Sequence, residues 1–180
     1  NATSSDIVFG LALVGESRGG VSATPGQVNS NRSVRESLPA LWLNELVVEN
    51  LTGFRDRAGD ADPWVELYNA GAESISLEGL RLGVAYDRLD QWIFPKGARI
   101  AAGEYRILWC DGEGNENRED EWHADLRLPP GTGSLILSSA TESGATILDY
   151  LNYRDLRPDR SYGALPNGSP NRRRSLLVPT

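Results

Sequence analysis

The segment Asp111-Gly112-Glu113-Gly114-Asn115-Glu116-Asn117 carries side-chain oxygens at every second position. Flexible, oxygen-rich loops of this kind suit calcium, a hard cation that takes about six to eight oxygen ligands. Asp111, Glu113 and Asn115 are the candidate ligands. The loop departs from the EF-hand pattern. Glu116 stands at its sixth position, where glycine makes the turn, and Trp122 at its twelfth, where a bidentate Glu closes the site. A second acidic group, Asp56, Asp60 and Asp62, lies just before Trp64. The bland reading of both is a solvated acidic loop. Zinc has little to hold it, because Cys110 and His123 are the only good sulfur and nitrogen ligands.

The same two residues bound the catalytic options. A Cys–His pair is formally possible, but no spacing places Cys110 beside His123. A lone His needs a positioned partner to act as a base. There is no serine nucleophile elbow, and no Gly-Lys-Ser/Thr follows a glycine cluster. With 25 Asp and Glu, chance pairing of carboxylates is certain, so pairing alone carries no argument for glycosidase-like chemistry. No catalytic or cofactor-binding residue is assigned.

The net charge is −7, and 17 Arg stand against one Lys, Lys96. An acidic chain is a poor general nucleic-acid binder, since phosphate neutralisation supplies most non-specific affinity. Arg172-Arg173-Arg174 makes a weak basic patch without interleaved aromatics. Charge is segregated: residues 111–125 hold seven acids and one Arg, and residues 154–174 hold six Arg and two Asp. Such a dipole can steer partners or join neighbouring modules, or mark two solvated loops at different ends.

The elements that must position these groups read as strands. The 19 Gly and 10 Pro break the chain into short alternating runs, and amphipathic helical periodicity is nearly absent. Strands are expected at 7–14, 41–49, 64–68, 80–85, 91–94, 105–110, 134–138 and 146–152, separated by turn signals such as Pro95-Lys96-Gly97 and Pro166-Asn167-Gly168. Short strands at this spacing favour a sandwich or barrel. Alternation sets Tyr105, Ile107 and Trp109 against Arg106, Leu108 and Cys110, and Val65 and Leu67 against Trp64, Glu66 and Tyr68. Leu135 and Leu137 point inward, with Ser134 and Ser138 outward. Trp64, Trp92 and Trp109 read as core, with an aromatic ligand platform as the sharper alternative. A lone cysteine permits no intrachain disulfide. No apolar run reaches the ~18 residues of a transmembrane helix, and 7–14 is too short and lacks a basic lead for a signal peptide. Residues 15–39 look like a linker, so 1–39 are expected to be an N-terminal extension and 40–180 the domain.

Several segments, in order, resemble the lamin tail domain of bacterial exported proteins. Leu43-Asn44-Glu45-Leu46 resembles its opening strand, and Asp62-Pro63-Trp64-Val65-Glu66-Leu67-Tyr68-Asn69 its second. Ile75–Leu82, Trp92-Ile93-Phe94-Pro95, Ile100–Tyr105, Ile107–Gly112 and Arg160–Gly168 follow in family order. Ala102 stands where the family often has another small residue or Pro. The resemblance covers roughly residues 41 to 168. It implies an all-β, immunoglobulin-like antiparallel β-sandwich with no family catalytic residues. Residues 20–29 resemble the segment that often closes such a domain, so 1–29 are expected to be the end of a preceding module in a longer protein.

The leading expectation is a non-catalytic interaction or spacer module of a larger exported or cell-surface bacterial protein, binding protein or polysaccharide through loops at one end. The alternative is a calcium-dependent carbohydrate-binding module, with Trp122 as the exposed aromatic to test. A hydrolase using His123 or a carboxylate pair, and nucleic-acid binding by analogy with eukaryotic lamins, rank below these.

Overall fold

The structure, a computed structural model, describes residues 38–142, 144–177 and 179. The expected strand at 7–14 and nearly all of the expected extension lie outside the described residues.

The chain is all-β, with several antiparallel sheets. Its strands are β1 (Leu41–Val47), β2 (Trp64–Asn69), β3 (Ile75–Ser76), β4 (Arg81–Gly83), β5 (Trp92–Ile93), β6 (Arg99–Ile100), β7 (Tyr105–Trp109), β8 (Trp122–His123), β9 (Gly133–Thr141), β10 (Gly144–Tyr153), β11 (Ser161–Ala164) and β12 (Arg173–Leu176). A six-stranded sheet runs β12-β11-β1-β2-β7-β8, a four-stranded sheet β10-β9-β4-β5, and β3 pairs with β6. Every strand pairing is antiparallel except β7 with β8. Among the described residues the helical elements are two three-residue 3-10 turns, Gly114–Glu116 and Pro170–Arg172.

Both larger sheets feed one core. Leu43 and Leu46 of β1, Val65 and Leu67 of β2 and Leu108 of β7 pack with Leu82 of β4, Leu135 and Leu137 of β9 and Leu151 of β10. Leu135 and Leu137 face inward as alternation expects, and the bulge at Leu43/Glu45 lets Leu43 and Leu46, three residues apart, face the same core. On the other face of the six-stranded sheet Val47, Trp64 and Trp109 form a second buried cluster with Ile107 against it. The Phe54 ring covers it, 5.0 Å from Trp64 and 5.4 Å from Trp109. Trp64 and Trp109 are therefore buried but outside the main core, while Trp92 packs on the main core edge-on to Phe94. Ser138, expected outward, is buried, with its hydroxyl 3.4 Å from the Leu89 carbonyl. β9 is thus covered on both faces.

A buried ion pair ties the two sheets together. Asp149 of β10 accepts from Arg173 of β12 and, at 2.8 Å, from Leu43 N of β1. Arg173 also donates to the carbonyls of Leu43 and Tyr150. The β1–β2 and β9–β10 ladders each slip register beside these groups, at Leu43/Glu45 and Ile147/Asp149. Bulges leave backbone groups without a ladder partner, and this pair takes up those of Leu43. Arg173 is consequently not part of a surface patch, and the Arg run straddles a 3-10 turn, which ends at Arg172, and the edge strand β12, which starts at Arg173.

The polar residues of the resemblance motifs are structural. Asn44, almost fully buried, donates to Glu66 Oε1 at 2.8 Å and accepts from Gly168 N at 3.0 Å. Asn69 donates to the carbonyls of Glu73, Ile100 and Ala101 and accepts from Gly71 N. Tyr68 stacks on Tyr105 at 4.3 Å. Gly163 is required beside Asn44: a Cβ there would stand 2.7 Å from the Asn44 carbonyl oxygen.

Candidate functional site

The two acidic segments seen in the sequence meet. Residues 48–63 join β1 to β2, and residues 110–121 join β7 to β8. Cys110 N donates to the Pro63 carbonyl at 2.7 Å, so the next residue outward on each chain, Asp62 and Asp111, comes together. The parallel β7–β8 pairing sets Trp109 opposite His123, which carries His123 to the same place.

Each side chain is held by its own loop. Asp56 Oδ1 accepts from Gly59 N at 2.9 Å and Asp60 N at 2.8 Å, a turn closed by a side chain. Its Oδ2 has no hydrogen-bond partner among the described residues. Asn50 braces the same loop through Gly53 N and the carbonyls of Phe54 and Asp62. Asp62 Oδ2 likewise lacks a partner among the described residues. Asp111 accepts from Glu113 N at 2.8 Å with Oδ1, and its Oδ2 lies 2.7 Å from His123 Nδ1. A carboxylate can only accept, so Nδ1 carries a proton. Glycine follows Asp111 because Gly112 has φ of +77°.

Asp111 and His123 are both 0% exposed. Among the described residues His123 Nε2 has no hydrogen-bond partner, and it stands 3.6 Å from Glu121 Oε1. Two trios result. One oxygen each of Asp56, Asp62 and Asp111 lie within 4.8 Å of one another, as do one ligating atom each of Asp56, Glu116 and His123. Among the described residues no Lys or Arg forms an ion pair with Asp56, Asp62 or Asp111. Arg57 and Asp120 pair across the two loops in solvent. The Asp62 carboxyl is pushed above the ordinary carboxylate range, first by desolvation and then by the charges of Asp111, Glu113, Asp56 and Asp60.

Of the sequence candidates, Asp111, Asp56 and Asp62 come together. Glu113 acts on Asp62 only through its charge, Asp60 supplies a backbone N–H, and Asn115 is exposed on the 3-10 turn. Glu116 and His123 join from positions that the alternate-residue pattern does not select. Cys110 takes no part: it lies in the main core with Sγ 3.7 Å from the Leu108 carbonyl, and burial pushes its thiol far up. Trp122 is 5% exposed and sits in the core with the Arg106 guanidinium 4.7 Å from its ring, so it offers no ligand-facing surface.

A separate groove of about 430 Å³ is lined by Trp42, Tyr150 and Tyr162, with Asn152, Asn171 and Arg173 among its polar groups. Its three aromatic residues are half-buried.

No protein-family model matches the chain, and no curated protein sequence matches it. Among the described residues no helix is long and apolar enough to cross a membrane.

Proposed function

We propose that the chain is a non-catalytic interaction module, an immunoglobulin-like β-sandwich of the lamin tail kind, serving a larger exported or cell-surface bacterial protein by binding polysaccharide or protein. The groove carries this reading. Half-buried aromatic faces beside amide groups are the lining that a sugar or peptide needs, apolar area for contact and a few polar groups for orientation. The shared core of the two larger sheets, and the ion pair that ties them, support the sandwich. The burial of His123 and Cys110 argues against either meeting a substrate. Sequestration of Arg173 in an ion pair weakens the nucleic-acid reading.

The convergence of Asp56, Asp62 and Asp111 favours, as a second reading, a calcium-dependent form of carbohydrate binding. Affinity electrophoresis through gels containing soluble β-glucan, xylan or pectin tests the polysaccharide partner. Retardation in one gel, lost in Trp42→Ala with thermal unfolding unchanged, is the expected result. Free migration in all three would remove these polysaccharides and leave a protein partner.

A further inference from the structure

We propose that the loops at residues 48–63 and 110–121 together build a site for one hard divalent cation of the calcium class, with Asp56, Asp62 and Asp111 as oxygen ligands. This set differs from the alternating run Asp111, Glu113 and Asn115, and it spans two loops that the β1–β2–β7 order brings side by side.

Three observations carry the site. The carboxylate oxygens lie within 4.8 Å of one another, the spacing that ligands at about 2.3–2.6 Å from a shared calcium ion adopt. Asp56 is only 8% exposed, and among the described residues its Oδ2 has no hydrogen-bond partner although its Oδ1 is held by two backbone N–H groups. A buried carboxylate oxygen left without a partner among the described residues calls for one, and a cation shared with Asp62 and Asp111 would be that partner. Finally, the three carboxylates form no ion pair with Lys or Arg among the described residues, and His123 meets only Asp111 of the three. Carboxylates this close repel, and a divalent cation removes that repulsion.

His123 is a positioning residue in this account. Its Nδ1–H fixes one Asp111 oxygen while Glu113 N fixes the other, so Asp111 presents its remaining lone pairs in a set direction. The oxygen-only trio selects a hard cation. The trio of Asp56, Glu116 and His123 would instead suit a softer metal through imidazole nitrogen, and the test separates the two.

The site does not depend on the groove: calcium can bind whether or not any polysaccharide does. The experiment is thermal unfolding of the EDTA-stripped chain, titrated with calcium and, at matched ionic strength, magnesium. The expected result is a calcium-specific rise in midpoint of about 5 °C or more at a hundredfold excess over the dissociation constant. Asp62→Asn should abolish the rise. Asp62 is half-buried and among the described residues its Oδ2 holds no partner, so this variant loses no hydrogen bond there and is expected to fold. His123→Asn should weaken calcium affinity about tenfold or more, a change that a merely structural role would not produce. No rise, an equal rise with magnesium, or a rise that survives Asp62→Asn would overturn the proposal. A zinc-induced rise lost in Glu116→Gln but kept in Asp62→Asn would also overturn it, by placing the metal on the other trio.

Discussion

His123 Nδ1 lies 2.7 Å from Asp111 Oδ2, and neither residue is exposed. The contact joins the end of β7 to β8 across a loop of ten residues (112–121) that holds five of the seven acids in the 111–125 segment. Because the contact is buried, Asp111→Ala is expected to cost about 1–3 kcal/mol, the range for leaving a buried donor without its acceptor. It leaves His123 Nδ1 and Glu113 N without an acceptor. Urea unfolding measures this. A loss below about 1 kcal/mol would mean that water reaches the pair. For the same reason Asp111→Ala cannot separate metal binding from folding, and Asp62→Asn can.

Asp62→Asn carries a prediction of its own in EDTA. Its carboxyl is raised by desolvation and by four neighbouring carboxylates, so removing its charge relieves repulsion. The metal-free variant is expected to melt at or slightly above the metal-free wild type. A clearly lower midpoint would show that the Asp62 charge is stabilising without a metal.

The Asp149–Arg173 pair is expected to behave as a clamp between the sheets. Asp149→Ala should destabilise the protein by about 3–5 kcal/mol, because it leaves Arg173 buried and Leu43 N unsatisfied. Pairing it with Arg173→Met should recover much of that loss, since no charge is then stranded. A double-mutant cycle reads the coupling, and additive losses would contradict the clamp.

Asp159 tests the electrostatics of the β1–β2 loop from its other end. It accepts from Leu51 N at 2.6 Å and from Thr52 N and Oγ1 at 2.9 Å, and these donors hold its carboxyl below the ordinary value. A lowered folded pKa means that the unfolded chain binds the proton more tightly. The contribution is complete above the unfolded value of 3.8 and is lost as pH falls through the lower folded value. Asp159→Asn should therefore flatten the acid limb of the stability curve while changing its slope at neutral pH little. An unaltered acid limb would contradict the assignment.

Phe54 is 45% exposed yet covers Trp64 and Trp109. Phe54→Ala should cost about 1–2 kcal/mol, less than a fully buried aromatic, and shift tryptophan emission to the red. Unshifted emission would mean that other groups seal the cluster.

The long strands were legible because alternation needs length: β2, β7, β9 and β10 were all expected, with Leu135 and Leu137 on the core face, although alternation alone did not say which face of β2 and β7 meets the main core. β3, β6 and β8 have two residues each, too few for a period, and β8 pairs parallel, which no hairpin signal announces. β12 was hidden because Arg172-Arg173-Arg174 reads as a solvated patch, whereas charge on an edge strand protects it from stray pairing. At the candidate site, composition marked both acidic loops. Their meeting depends on one hydrogen bond, Cys110 N to Pro63 O, and on strand order, neither of which spacing along the chain encodes. His123 stands twelve residues after Asp111, a separation that signals nothing until β8 returns alongside β7.

The central claim is that one hard cation sits between Asp56, Asp62 and Asp111. Terbium, a luminescent calcium surrogate, tests it most directly, because Trp109 stacks 6.3 Å from His123 and excited indoles nearby transfer energy to a bound ion. The account predicts sensitised emission that saturates at one equivalent, is displaced by calcium and is absent in Asp62→Asn. Emission that never saturates, or that persists unchanged in Asp62→Asn, would contradict it.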